Sequence, residues 1–493
     1  MARVVSGALA VALASLAWAQ TSPEAQARGL LDDGRAYMAK KQHKQALDNF
    51  NTIVTGFAQT ESVDDALLEI GRYRLEVDGD ADRAREAFDQ VAKRYPQSDG
   101  APGAYYYLGL VSLNRASQPA ELDDALAQFA RVQRLYPRSE WVPRALHGSG
   151  LAHRKAGRHA EAIEAERRVS LEHPTSDVAA AAQFQIGHCL ALQGAAREAM
   201  EEFQQVRNRF PDSPWSQTAL NRNTALYRLY GSNKPSFTVD AAYSVPGGES
   251  LKDVRALLMT PERALWVASD KTKMALPFAA DGSRGTSVAV EEPRSLSLGP
   301  RGEIVVSAKL AVRIGPKDVK SFAAPTDKPG VLEPLDKIEA AVVTPLGNVL
   351  VADSKRKRVF RYESAELKFG GTFPDARERE VRRLLVDGEG GVVLLDADAK
   401  AVQAFDETGK SLRGLAARGA GYELKKPVDI AVDAFRNFYV ADAELGVLVF
   451  APTGELLATL SAPEARKPGA VTIDVEGSVL VYDEKSERVV RFQ

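Results

Sequence analysis

The sequence predicts a chain built from two unlike repeat arrays, an N-terminal α-helical solenoid followed by a C-terminal all-β six-bladed propeller. Three observations predict this. A set of small and aromatic markers recurs five times at helical spacing before residue 213. A short apolar phrase ending in a turn residue recurs six times between 265 and 483. Between the two, near residue 231, the apolar period changes from 3.6 to 2. The chain has 493 residues, 45% hydrophobic and 26% charged, which allows two or three domains with sizeable cores.

The first residues read as an address. Met1 and Arg3 precede the uncharged run Val4–Trp18, and Ala17-Trp18-Ala19 stands before Gln20. A basic start, an apolar stretch and an Ala-x-Ala end predict a cleavable secretory signal over 1–19, cut near Ala19–Gln20. The run is shorter than the roughly 20 residues that span a bilayer. The mature chain is therefore expected to be periplasmic or secreted, with no transmembrane segment.

The helical array is expected over 20–230. An Ala with an aromatic four residues later recurs as Ala46/Phe50, Ala84/Phe88, Ala125/Phe129 and Ala199/Phe203, and Ala162 is followed by Glu166 instead. Seven residues after each Ala stands Ile53, Val91, Val132, Val169 or Val206, which completes one apolar helix face. Pro96, Pro137, Pro174 and Pro211 then stop that helix. Ser98, Ser139, Ser176 and Ser213 follow each proline by two and are placed to cap the next helix. Gly34, Gly71, Gly109, Gly150 and Gly187 precede the alanines and let paired helices approach. Each unit of 37 to 41 residues is a helical hairpin that buries its face only by stacking on neighbours.

This pattern resembles the tetratricopeptide repeat family, in five copies over roughly 24–212 with Pro214–Tyr230 as a closing helix. The long period and the phrase Tyr95-Pro96-Gln97-Ser98, repeated as Tyr136-Pro137-Arg138-Ser139, look like its bacterial envelope branch. That branch includes the periplasmic coordinator of the Tol-Pal system and the lipoprotein subunit of the outer-membrane assembly machine. The resemblance implies a concave groove for peptides or protein surfaces. Positions beside the glycines would face it: Arg35, Arg72, Leu110, Leu151 and His188, with Tyr106, His147 and Phe184. Arginines in such places are more often solvated helix charges than ligand clamps, and His147 and His188 read as satisfied histidines rather than metal ligands.

A linker is expected at 231–236 and the propeller over 237–493. The recurring phrases are Leu265–Asp270, Ile304–Ala308, Val349–Asp353, Val392–Asp396, Phe438–Asp442 and Val479–Asp483, whose last residues lie 38, 45, 43, 46 and 41 apart. With the apolar pairs and turns that follow, each unit holds four short strands, the pattern of a propeller blade. The phrases resemble NHL-type repeats. Segment 237–245 reads as an orphan strand that closes the ring against the last blade. The five repeated aspartates occupy equivalent places in different blades, so they read as turn acceptors rather than a catalytic cluster.

Chemistry is thin in this half. All six histidines lie at or before His188 and the single cysteine is Cys189, which excludes an intramolecular disulfide and a multi-thiolate metal site. With 64 Lys+Arg against 66 Asp+Glu, no basic surface points to nucleic acid. Near the starts of the inner strands, Arg294, Glu339, Arg382, Arg383 and Asp429 make a mixed channel face. Glu339 and Asp429 are the carboxylates that could hold a hard cation there. The Lys355–Arg358 run reads as a solvated turn.

The expected function is a non-enzymatic periplasmic adaptor with no catalytic residues, metal or cofactor. Its repeat groove and propeller face would each hold an envelope protein or peptide, peptidoglycan-associated machinery among the candidates. The alternatives are a propeller hydrolase or lyase with a channel metal, and a sensor of a small ligand or cell-wall fragment.

Overall fold

The computed structural model describes residues 22–493 apart from 117–118, 233–234, 246–247, 316–317, 327, 329 and 364–366. The signal expected over 1–19 lies outside the described residues, as does part of the expected linker. The chain forms two compact units, Met1–Ala182 and Gln183–Gln493. The change of repeat type near 231 and the division between compact units are thus different positions: the last helices belong to the unit that holds the propeller.

In the first unit the described helices are α1 (Pro23–Ala39), α2 (His43–Gly56), α3 (Ser62–Glu76), α4 (Ala81–Arg94), α5 (Gly100–Arg115), α6 (Pro119–Leu135), α7 (Val142–Lys155) and α8 (His159–Glu172). They run as successive hairpins. The marker alanines and aromatics form the core: Ala46, Phe50, Ala84, Phe88, Ala125 and Phe129 are all fully buried. Gly34 shows why the marker glycines recur. A Cβ there would stand 2.4 Å from Phe50 Cε1, so α1 and α2 approach this closely only without a side chain. The prolines end the helices as expected, but the serine caps differ. Asp99 and Trp141 hold the N-cap positions of α5 and α7; the Ser98 hydroxyl donates to the Tyr95 carbonyl, while the Ser139 hydroxyl accepts the Trp141 N–H at the start of α7.

The second unit holds the rest of α9 (Ala179–Leu192), then α10 (Ala196–Arg209) and α11 (Pro214–Tyr230), and six antiparallel sheets arranged as blades. Ser213 caps α11, its hydroxyl accepting the Trp215 N–H. The inner strands of the blades are Val254–Met259, Pro293–Leu298, Ile338–Val343, Val381–Val386, Pro427–Val432 and Pro468–Ile473. Each pairs with the strand that carries the recurring phrase, and in blades three to six that second strand is buried along its whole length. A neighbouring blade covers each face, so the strand reads as a continuous apolar run rather than an alternation.

The register corrects one sequence reading. The residue opposite the first position of the inner strand is Ser269 in blade one and Ala308 in blade two, then Asp353, Asp396, Asp442 and Asp483. Asp270 therefore stands one place past the repeated position. Ser269 fills the role instead, its hydroxyl accepting the Thr272 N–H and donating to the Lys252 carbonyl. The aspartates act as turn acceptors: Asp442 takes the Lys425, Lys426 and Glu444 N–H groups, and Asp483 those of Lys467 and Ser486.

At the edge of blade six, Thr238 and Gln493 exchange backbone hydrogen bonds of 2.8 and 2.9 Å, and Asp240 N–H donates to Arg491 O. The pairing spans Thr238–Asp240 and gives the last strand, Arg488–Phe492, an outer neighbour.

Helices α9 to α11 and the propeller share side-chain contacts within this unit. His188 Nε2 lies 2.9 Å from Glu389 Oε1, and the Tyr230 hydroxyl donates to Asn437 Oδ1 at 2.6 Å. Arg228 donates to the Glu476 carbonyl and the Ser478 hydroxyl. Phe435, 2% exposed, packs against His188, Phe203 and the Arg222 guanidinium. Glu389, Phe435, Asn437 and Ser478 all sit at the turns joining first and second strands of blades four, five and six. The helices therefore cover the ring face opposite the one where the inner strands begin.

Candidate binding groove

The first helices of successive hairpins, α1, α3, α5 and α7, present one continuous side, and in the first unit they line a groove of about 940 Å³. Helix α1 contributes Arg35, Met38 and Ala39; α3 contributes Asp65, Leu68, Glu69, Arg72 and Glu76. Helix α5 and its N-cap supply Asp99, Gly100, Tyr106, Tyr107 and Leu110, and Glu140, Trp141 and Arg144 come from the start of α7. The spacing follows from the repeat, since positions flanking each marker glycine fall on the inner side of the solenoid.

The floor is aromatic. Tyr106 lies 5.2 Å from Tyr107 and 5.4 Å from Trp141 between ring centroids, and Tyr107 and Trp141 meet edge-on at 5.7 Å. Such tilted and edge contacts are favourable arrangements for aromatic rings. Burial pushes the Tyr106 hydroxyl up to about 12, so it stays a neutral donor and acceptor at physiological pH. The Arg144 guanidinium sits over Trp141 at 4.8 Å and also pairs with Asp177 at 2.9 Å.

The walls are charged. Buried Glu69 receives Arg35 at 3.0 Å and Arg72 at 3.1 Å, and Arg35 also reaches Asp65 at 3.2 Å. Asp64, Asp65 and Asp99 bring carboxylate oxygens within 4.8 Å of one another, and buried Asp64 is held there by the Gly100 N–H. Burial raises the Asp65 carboxyl above its usual value; Arg35 opposes this, and Asp99, Asp64 and Glu69 add to it.

Of the groove residues expected from sequence, the structure brings Arg35, Arg72, Tyr106 and Leu110 together. His147 goes elsewhere. Its Nδ1 lies 2.8 Å from Oε2 of fully buried Glu166, the residue that replaces the repeat's aromatic. Gly150 leaves the space, since a Cβ there would stand 2.4 Å from Glu166 Oε1. Phe184 and His188 lie in the second unit: Phe184 packs against Trp215 and Phe203, and His188 pairs with Glu389. The sequence reading missed Tyr107, Trp141, Arg144 and the carboxylates. The Tyr105–Tyr107 run and the Trp two residues after Ser139 were the available signals.

In the propeller, Arg294, Glu339 and Arg382 share one structural position. Each is the second residue of its inner strand, where the register with the next strand shifts, as are Arg255, Val428 and Gly469 in the other blades. A bulge there lifts one residue per blade out of the ladder. Arg294 pairs with Glu292 at 3.2 Å, Glu339 accepts the Ser354 hydroxyl, and Arg382 is exposed. Asp429 sits one place further along, at 1% exposure, and is not an open channel carboxylate. It binds the Arg383 guanidinium and accepts the Ile430 and Val471 N–H groups, tying three consecutive blades. The Lys355–Arg358 run is compensated: Lys355 reaches Asp336, Arg356 reaches Asp353 and Glu333, and Lys357 reaches Asp398 and Glu380. No helix among the described residues is long and apolar enough to cross a membrane.

Comparison with known proteins adds to this. A tetratricopeptide repeat model matches residues 65–98 and 181–213. Curated protein sequences return no match. Similar solved structures include a streptogramin B lyase (10% identity, 52% of this chain and 97% of that one, TM-score 0.38). A catalytically inactive virginiamycin B lyase from Staphylococcus aureus, determined with quinupristin, is 11% identical over 52% of this chain and 99% of that one, with TM-score 0.38. Kuenenia stuttgartiensis hydrazine synthase is 11% identical over 48% of this chain and 95% of that one, with TM-score 0.37. The chain carries tetratricopeptide repeats followed by a six-bladed β-propeller, an organisation that points to protein–protein interaction.

Proposed function

We propose that this protein is an exported adaptor of the bacterial cell envelope, whose repeat groove holds a segment of a partner protein while the propeller presents a second binding face. The observation that carries this reading is the groove itself: about 940 Å³, open along α1, α3, α5 and α7, with a rigid aromatic floor and a polar rim. Aromatic anchors in a concave surface are where protein interfaces concentrate their binding energy. The Tyr-Pro-x-Ser phrases and the long repeat period support the envelope branch of the repeat family, and the apolar run after Arg3 supports a periplasmic location. The ring's recurring strand phrases support NHL-like blades. Binding is favoured over catalysis because Asp429, one of the two carboxylates available for a channel cation, is committed to Arg383 and two backbone N–H groups.

The test is photo-crosslinking of the full-length protein in its native cells. A photoreactive residue in place of Leu110, in the groove, should give discrete cross-linked species in the periplasmic fraction. The same residue in place of exposed Lys44, on α2, should give none. Equal labelling from both positions, or none from either, would overturn the groove reading.

A further inference from the structure

We infer that the groove is selective for a basic segment, a peptide in which a lysine or arginine lies close to an aromatic or aliphatic side chain. This rests on the groove being the peptide site proposed above and specifies the chemistry of its occupant.

Charge complementarity carries the inference. The groove is lined by Asp65, Glu69, Glu76, Asp99 and Glu140 against Arg35, Arg72 and Arg144. These charges are not spread evenly. Both Arg35 and Arg72 lean on Glu69, and Arg144 turns away to Asp177. Among the described residues Asp99 and Glu140 have no cationic partner, and they flank the aromatic floor. Asp99 also crowds Asp64 and Asp65, where three carboxylates share space with one arginine. A further cation would relieve that crowding, and an acidic segment would meet it with repulsion. The side chain next to that cation would then lie over Tyr106 and Trp141, which offer ring faces for apolar contact or for the cation's own stem.

Spacing also fits. Asp99 holds the N-cap position of α5, and Tyr106 and Leu110 lie about two and three turns further along that helix at 1.5 Å per residue. The acidic end and the far end of the aromatic floor are thus about 10 to 16 Å apart, the reach of three to five residues of extended chain.

The test is selection of a phage-displayed library of random nine-residue peptides on the intact protein in EDTA-containing buffer. The retained pool should be enriched in Lys and Arg, with an aromatic or aliphatic residue within about four positions. Representative peptides should bind about ten-fold more tightly than their Lys→Glu counterparts, a difference of about 1.4 kcal/mol. Asp99→Asn combined with Glu140→Gln should remove most of that preference without lowering the melting temperature, since neither side chain makes an ion pair among the described residues and Asp99 only crowds its neighbours. Enrichment in Asp and Glu, or no charge preference in a pool that Leu110→Glu abolishes, would overturn the basic-segment inference and leave the groove intact as a peptide site. A pool that Leu110→Glu does not affect, or no enrichment at all, would overturn both.

Discussion

The fourth repeat carries a hydrogen-bonded Glu166–His147 pair where its siblings carry a phenylalanine, and replacing that pair is the most direct test of what the repeat pattern means energetically. Phe50, Phe88, Phe129 and Phe203 are fully buried, and Glu166 is equally buried in the equivalent place. His147, its partner, stands three residues before Gly150, where the first repeats have Leu31 and Leu68. Three variants separate the contributions. Glu166→Ala leaves a cavity and an unpartnered histidine, and breaking a buried pair in this way costs about 3–5 kcal/mol. Glu166→Phe restores an apolar side chain worth about 1.5–3 kcal/mol of burial, offset by a histidine left without its acceptor at about 1–3 kcal/mol. It should be close to neutral. The double variant Glu166→Phe, His147→Leu removes both buried polar side chains and should gain about 1–4 kcal/mol, the range seen when buried pairs give way to packed apolar groups.

The pH dependence has a definite sign. Burial raises the Glu166 carboxyl above its ordinary 4.5, against the pull of His147 and Arg154. A raised carboxyl favours the fold in its protonated form, so its contribution is full below 4.5 and is lost as pH rises through the folded value. The double variant's advantage should therefore be larger at pH 8 than at pH 4. Urea denaturation at the two pH values reads both effects. A double variant less stable than wild type by more than about 1 kcal/mol would refute the reasoning, because the Glu166–His147 pair would then be what holds this repeat in place.

Other consequences are quicker to state. Gly34→Ala puts a Cβ 2.4 Å from Phe50 Cε1 and should cost about 1–3 kcal/mol in thermal or urea unfolding; no loss would mean that α1 and α2 are less tightly joined than described. Asp429→Ala leaves Arg383 buried without its carboxylate and should destabilise the propeller by about 3–5 kcal/mol, read by denaturation of the full chain. A fragment of residues 237–493 should melt lower and be cut faster by protease than one of 183–493, because it lacks the helices that cover Phe435 and the turns of blades four to six. The Asp375 carboxylate, held at about 2 chiefly by its hydrogen bond to Arg379, should titrate by NMR near that value and move toward 3.8 in Arg379→Gln. Being depressed, it contributes stability above 3.8 that is lost as pH falls toward 2.

Much of the fold was legible because repeats state the same packing rule several times. One glycine and one phenylalanine sixteen or more residues further on mean little alone, but four such pairs, and a fifth with Glu166 in the aromatic's place, describe a helix contact. The six strand phrases likewise specify blades. What stayed hidden depends on distant partners. Asp429 looked like a channel carboxylate because nothing in its neighbourhood names Arg383, which lies 46 residues away in the preceding blade. Phe184 and His188 matched groove positions, and only the packing of α9 to α11 on turns some 200 residues later diverts them. The Asp270 assignment failed by a single residue, since side chains in a strand alternate and a one-place offset changes the partner. The groove's carboxylates come from three different hairpins, and only folding sums their charge.

The Thr238–Gln493 pairing has a consequence for the order in which this protein assembles. Its partners are 255 residues apart in the chain. Joining ends that far apart costs about 5 kcal/mol of chain entropy on the simplest loop estimate, and three residues of strand pairing cannot meet that cost unaided. The joint becomes favourable only after the six blades between have brought the two segments side by side. Contacts of such long range also make folding slow. Until the joint forms, the last strand of blade six, Arg488–Phe492, shows an unpaired outer edge. The interval between the stacking of the blades and the latching of Thr238 onto Gln493 is when the nascent molecule is most open to pairing with another copy of itself.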